Sequence, residues 1–156
     1  LASECALAGI PVVSGFARGI DRHAHEGCLR LGGDTWAVLG CGLGYLGQLG
    51  KHLVQPFLAN GGLVLSEFHP FAKPLPWRFP VRNRIIAGIS AVTVVVQAPL
   101  RSGGMITARH ALDQGRDVVV HASGLAGELG AGCAALAGDG APVITSLDDI
   151  LRRDFL

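Results

Sequence analysis

The chain has 156 residues, of which 49% are hydrophobic and 16% charged, with a formal net charge of +1 and a mean hydropathy of +0.42. These values fit one domain with a single substantial core and much of its chain buried on both sides, as in a sheet covered by helices. No run approaches the roughly 18 apolar residues of a membrane span and no basic segment leads into an apolar one, so the sequence reads as a soluble, cytoplasmic chain that is not exported. Cys5, Cys28, Cys41 and Cys133 are widely spaced with no Cys-x-x-Cys pair, which argues against a disulfide framework and a zinc knuckle.

The chain opens in a stretch, Leu1 to Ala8, that reads as a helix. Short β-branched runs then alternate with helical segments. Strands are expected near Pro11–Val13, Thr35–Leu39, Leu63–Leu65, Ala91–Gln97, Val118–His121 and Pro142–Ile144. Helices are expected near Asp21–Leu31, Lys51–Ala59, Asn83–Gly88, Met105–Gln114, Cys133–Ala137 and Leu147–Arg152. In the first of these Ala24, Cys28 and Leu31 recur at helical spacing, while Thr93-Val94-Val95-Val96 is the continuous run of a buried strand. Strand and helix taking turns predicts an α/β fold: a Rossmann-like, doubly wound, mostly parallel sheet with helices on both faces. Ligands of such sheets bind where strands hand over to loops.

Two of those loops combine glycine with a hydroxyl. In Ser14-Gly15-Phe16-Ala17-Arg18-Gly19-Ile20-Asp21 the glycines permit close backbone approach, and the following helix offers free N–H groups and the positive end of its dipole. Ser102-Gly103-Gly104-Met105 repeats the device after the most hydrophobic strand. Both turns suit a phosphate. The window from Phe68 to Leu112 contains no Asp or Glu but carries Lys73, Arg78, Arg82, Arg84, Arg101 and Arg109, so positive charge is expected to gather on one side of the fold. Arg82 and Arg84 stand at the start of an expected helix, and arginine gives bidentate phosphate contacts without losing its charge. Trp77, between prolines and Arg78, is expected to be exposed, with Phe79 divided between surface and core. Asn83 is expected to bond backbone or a neighbouring loop and position the two arginines.

Three other patterns carry less. Gly40, Gly42, Gly44 and Gly47 only superficially resemble a dinucleotide fingerprint, and Glu67 begins a turn rather than ending a strand over a ribose. On a helix His23 points away from the face shared by Asp21 and His25, so these three do not converge on a metal. Asp21 is instead expected to accept backbone N–H bonds in the first helical turn or to pair with Arg18, and His25 to support loop packing. No cofactor or metal is expected, and no Gly-x-Ser-x-Gly elbow accompanies Ser66.

Taken together, Ser14-Gly15-x-Ala17-Arg18-Gly19-Ile20-Asp21-x-x-Ala24-His25, Ala37-Val38-Leu39-Gly40-x-Gly42-Leu43, Ser66-Glu67, Phe79-Pro80-x-Arg82-Asn83-Arg84-Ile85-Ile86-Ala87-Gly88, Ser102-Gly103 with Thr107-Ala108, and Gly115-Arg116 resemble the DNA-processing protein A family, DprA or Smf. The likeness runs from about Leu7 to Leu151. It implies a Rossmann-like domain that binds and protects single-stranded DNA and helps load the recombinase RecA in natural transformation, with no catalytic residue. Expected partners are single-stranded DNA, RecA and a second copy of the chain. The family's pocket maps onto Ser14, Gly15, Arg18 and Gly19, onto Arg82, Asn83 and Arg84, and onto Ser102, Gly103 and Gly104, and the single-strand role it implies makes Trp77 and Phe79 the candidate base-stacking surfaces. Residues 1–156 are then one such domain, a fragment without its first strand and its flanking modules. Gln97, Gly104, Met105, Ser123 and Cys133 stand where the family pattern has other residues, which affects the second half of the pocket more than its arginines. The competing class is a nucleotide phosphoribohydrolase of the lysine-decarboxylase-like superfamily. Its Gly-Gly-x-Gly-Thr-x-x-Glu turn would fall on Gly103 to His110, with Ile106 for the last glycine and His110 for the carboxylate that an oxocarbenium ion needs; Glu67 is the one candidate substitute.

Overall fold

A computed structural model describes residues 1–49, 51–153 and 155, with side chains described outside 47–53. Helices and strands alternate: α1 (Ala2–Leu7), β1 (Val12–Ser14), α2 (Ile20–Leu29), β2 (Thr35–Val38), α3 (Lys51–Ala59), β3 (Leu63–Leu65), α4 (Arg78–Gly88), β4 (Val92–Val95), α5 (Gly103–Asp113), β5 (Asp117–His121), α6 (Ala131–Gly138), β6 (Val143–Ile144) and α7 (Leu147–Leu151). Short 3-10 turns fill Leu43–Leu49, Ala122–Gly124 and Glu128–Gly130. The chain divides into two compact units, Leu1–Arg82 and Asn83–Leu156, and the division falls inside α4.

In the first unit the strands run β1-β2-β3, all parallel, with Val13 opposite Trp36 and Ala37 opposite Val64. Parallel neighbours need a crossover, and α2 and α3 supply it. The core gathers Phe16, Ala37, Leu39, Cys41, Val54 and Phe57. In the second unit β4-β5-β6 repeat the parallel pattern, with Thr93 opposite Val118 and Val120 opposite Val143. There Val95, Ala108, Val118, Val120, Cys133 and Leu136 pack together. The α/β class and its parallel strands are those the alternating pattern predicts. All four cysteines are free thiols, three of them buried.

Most element ends shift by one or two residues from the expectation, and two shifts are larger or have a clear physical cause. Helix α4 begins at Arg78 rather than Asn83. Pro80 lies in its first turn, where a missing N–H costs nothing, so proline does not delay the helix. Arg82 and Arg84 therefore sit past the first turn of α4, not at its start. Strand β4 is shorter than the apolar run Ala91–Gln97 because its pairing with β5 lasts only from Val92 to Val95.

Candidate nucleic-acid interface

The loop between β1 and α2 is held by one carboxylate. Asp21, at the second residue of α2, accepts the N–H groups of Gly15 and Ala17 on one oxygen, each at 3.1 Å. The residue between them, Phe16, adopts φ of 59°. A side-chain-bearing residue in the left-handed region costs about 1–3 kcal/mol and persists only where its surroundings over-determine it. Here the two flanking hydrogen bonds fix the backbone, and burial fixes the ring: Phe16 lies 5.6 Å from the His25 ring and 5.2 Å edge-on to Phe57. His25 completes the trio at 5.2 Å from Phe57, nearly perpendicular to it.

His25 is in turn anchored from below. Its Nδ1 lies 2.6 Å from the Thr35 hydroxyl, which donates to the Val12 carbonyl at 2.8 Å. With the hydroxyl hydrogen spent on Val12, the arrangement that makes both bonds puts the imidazole hydrogen on Nδ1 and leaves Nε2 as a bare, buried acceptor. Burial pushes the His25 pKa down to about 4, against the opposing pull of the Asp21 carboxylate. His25 is thus a neutral support for the loop, as its position after the loop suggests. Asp21 takes the backbone N–H role; its bonds go to the preceding loop rather than to the helix's own first turn.

Arg82 lies in the interior, 4% exposed. Its Nη1 donates to the Gly15 carbonyl at 2.9 Å and to the Val38 carbonyl at the end of β2. A Cβ at position 15 would stand 2.6 Å from Arg82 Nη2 and 2.9 Å from Asp21 Oδ2, so Gly15 makes room for the clasp rather than for a ligand. Burial lowers the Arg82 pKa, with the Asp21 carboxylate and Cys41 acting the other way. The structure therefore brings Gly15, Asp21 and Arg82 together as the scaffold of the loop. Arg18 and Gly19 lie outside it, both exposed, and Gly19 caps α2 at φ of 91°. Ser14 is half-buried at the end of β1.

In the same unit Arg78 lies over two aromatic rings, 4.9 Å from the Phe68 centroid and 5.1 Å from that of Trp77, and donates to the Lys73 carbonyl at 2.6 Å. Trp77 is 57% exposed; Phe79 is 41% exposed and lies over Gly40. The third glycine loop bonds to backbone: Gly42 and Gly44 donate to the Ala72 and Pro70 carbonyls, both at 2.8 Å. A Cβ on Gly42 would lie 2.1 Å from the His69 carbonyl oxygen, so these glycines let two loops touch. His23 is exposed while His25 is buried, which puts the two histidines on different faces of α2.

In the second unit Ser102 caps α5, its hydroxyl accepting the Met105 N–H at 3.4 Å. Asn83 Nδ2 donates to the Gly103 carbonyl at 3.2 Å, which also receives the Thr107 hydroxyl at 3.0 Å. Asn83 therefore does bond a neighbouring loop. Gly103 is exposed and Gly104 packs on Ala98. Arg84 is exposed, and its carbonyl accepts from Gln114. His110, where a hydrolase needs its carboxylate, sits in the last turn of α5.

The sequence reading passes over Thr35 and the left-handed Phe16. Neither carries a local signal, because one acts through a neighbouring strand and the other through a ring packed from α3.

A family model described as DNA recombination-mediator protein A matches residues 1–154. The chain is 42% identical over 142 residues to the DNA processing protein DprA of Streptococcus pneumoniae, covering 91% of this chain and 50% of that protein. It is 41% identical over 149 residues to the protein Smf of Escherichia coli, covering 95% and 40%. Among solved structures, that of the S. pneumoniae protein superposes with a TM-score of 0.83 at 38% identity, over 97% of this chain and 55% of the other. A Helicobacter pylori DNA processing protein A, whose structure is described as giving insight into a unique single-stranded DNA binding mode, superposes with a TM-score of 0.83 at 31% identity, over 98% and 69%. The chain thus spans about half or less of the length of the curated relatives it matches.

Proposed function

From the DNA recombination-mediator protein A family, to which this chain belongs, we propose that it is the part of a DNA-processing protein that holds single-stranded DNA. The observation that carries the reading is the β1–α2 loop: exposed Arg18 stands at the N-terminus of a ten-residue helix, on a backbone clamped by Asp21 and Arg82. A clamped loop presents its guanidinium and the first N–H groups of the helix to a phosphate with little left to order on binding. Arg18 contacts the strand; Arg82, Asp21 and His25 position the loop; Ser14, Gly15 and Gly19 shape it. Within the second unit taken by itself, the Ser102-Gly103-Gly104 turn, braced by Asn83, and the exposed Arg84 are candidate phosphate contacts. Trp77 and Phe79 supply base-stacking faces.

The relatives' names support a role in DNA processing, and the single-stranded DNA binding mode described for one relative's structure supports single-stranded DNA as the ligand. The whole protein then binds without catalysing a reaction, protects incoming single strands, delivers them to RecA and works as a dimer in the cytoplasm. Among the described residues no helix is long and apolar enough to cross a membrane.

Fluorescence anisotropy of a labelled oligo-dT tests the reading, with duplex DNA and AMP as competitors. The expected result is saturable binding that neither competitor displaces efficiently; equal displacement by duplex, or no binding, contradicts it.

A further inference from the structure

The strands of the first unit lie side by side in the order β1-β2-β3, about 5 Å apart. The loops that leave their carboxyl ends carry Arg18, then the glycines at 40, 42 and 44, then the segment from Ser66 to Trp77. Arg82 ties the first two of these together, since one guanidinium nitrogen serves the carbonyls of Gly15 and Val38. One helical turn earlier on α4, Phe79 lies over Gly40. At the other end of the glycine loop Phe71 rests its Cδ1 edge against Gly44, 3.2 Å from where a Cβ would stand.

Phe71 is 75% exposed, so its ring keeps an open face. Its mount is nevertheless fixed. Gly42 and Gly44 donate to the carbonyls of Ala72 and Pro70 on either side of it, and the Phe71 N–H donates to His69 Nδ1 at 3.3 Å. The His69 ring lies 5.8 Å from that of Phe71. Leu43, Leu75, Trp77 and Phe79 are exposed near it along the same chain segments. Single exposed apolar residues are ordinary, whereas a group of them gathered around two touching loops marks a contact surface. Lys73, also exposed, stands two residues from Phe71, and no Asp or Glu occurs from Phe68 to Leu112.

We propose that Phe71 is a further base-stacking residue. A single strand held at Arg18 then continues across the carboxyl edge of the first sheet, past Phe79, to Phe71, where Lys73 meets a phosphate. Unpaired bases are the occupant because exposed rings with cations beside them match the alternation of bases and phosphates along a strand. The centres of protein–protein contacts, by contrast, are depleted in lysine. A ring on a hydrogen-bonded turn also has little freedom to lose on binding. The inference rests on the single-strand reading above and extends it to Phe71 and Lys73, which that reading leaves unassigned.

The test measures the binding of intact oligo-dT, and of the same backbone made abasic, to the unaltered chain and to Phe71→Ala, Phe71→Tyr and Lys73→Gln. Both positions are exposed, and urea unfolding checks that the variants keep their stability. Phe71→Ala is expected to weaken binding of the intact oligomer about five- to a hundredfold, the range for losing one stacked base, and to leave the abasic oligomer unaffected. Phe71→Tyr restores the affinity, and Lys73→Gln flattens the log–log salt slope by about 0.7 on both oligomers. Unchanged binding of the intact oligomer by Phe71→Ala overturns the stacking role and leaves the single-strand reading standing. An equal loss on both oligomers overturns it too, as does a change in the sedimentation of the DNA-free chain with DNA affinity intact, which assigns the patch to a protein contact. No binding of the intact oligomer by the unaltered chain overturns both readings.

Discussion

Arg82 and Arg18 come from two motifs that the sequence marks alike for phosphate, yet Arg82 is buried and Arg18 is exposed. Arg82 ends on the carbonyls of Gly15 and Val38, so Arg82→Met leaves two buried acceptors without their donor. A loss of about 3 kcal/mol is expected in urea unfolding, on the scale of 1–3 kcal/mol for each buried group left unsatisfied. A loss confined to DNA affinity, with stability intact, would contradict the scaffold role. His25 gives a prediction in pH. Its folded pKa near 4 lies below its ordinary 6.5, so the unfolded chain takes up the proton first. The stability that depends on neutral His25 is complete above about pH 6.5, erodes as pH falls toward 4, and levels off after a loss of about 3 kcal/mol, at 1.36 kcal/mol per pKa unit. His25→Gln should flatten the urea midpoint between pH 7 and 4; an unchanged slope would show that another group carries it. The sequence singles out Asp21 and His25 because both follow the loop on its own helix, but it places the bonds of Asp21 in the helical turn, whereas they reach back to Gly15 and Ala17. It did not reveal that Arg82 is interior, since burial of an arginine depends on carbonyls 44 and 67 residues away.

At the scale of elements, period and composition were enough to find every strand and helix. The ends were less legible because they depend on partners. Strand β4 stops with its β5 neighbour, and α4 starts before Pro80 because a first-turn proline needs no N–H donor. The loop pairing of 42–44 with 69–72 was illegible for the same reason: glycines that resemble a phosphate cradle were making space for backbone. Gly42→Ala places a methyl against the His69 and Pro70 carbonyls, at 2.1 and 2.3 Å. The expected cost is about 1–3 kcal/mol, the usual range for overpacking, together with faster proteolysis between Ser66 and Lys73. Unchanged stability and cleavage would mean that the two loops separate without penalty.

For the molecule as a whole, the formal charge of +1 conceals a 45-residue window, Phe68 to Leu112, without a single carboxylate. Net charge alone gives little attraction for DNA, so affinity must come from local cations, and each phosphate neutralised should register in the salt dependence. The family likeness covers almost the whole chain, and the fold class follows from the alternation of its elements. What a single sequence could not separate was which basic groups face solvent. The most direct measurement is the salt dependence of oligo-dT binding for the unaltered chain and for Arg18→Ala, an exposed substitution at no scaffold position. The account predicts a log–log slope that flattens by about 0.7, the share of a single phosphate left without its cation, with weaker binding at low salt and an unchanged unfolding midpoint. Binding and slope identical to those of the unaltered chain would contradict the assignment of the β1–α2 loop as the place where the strand is held.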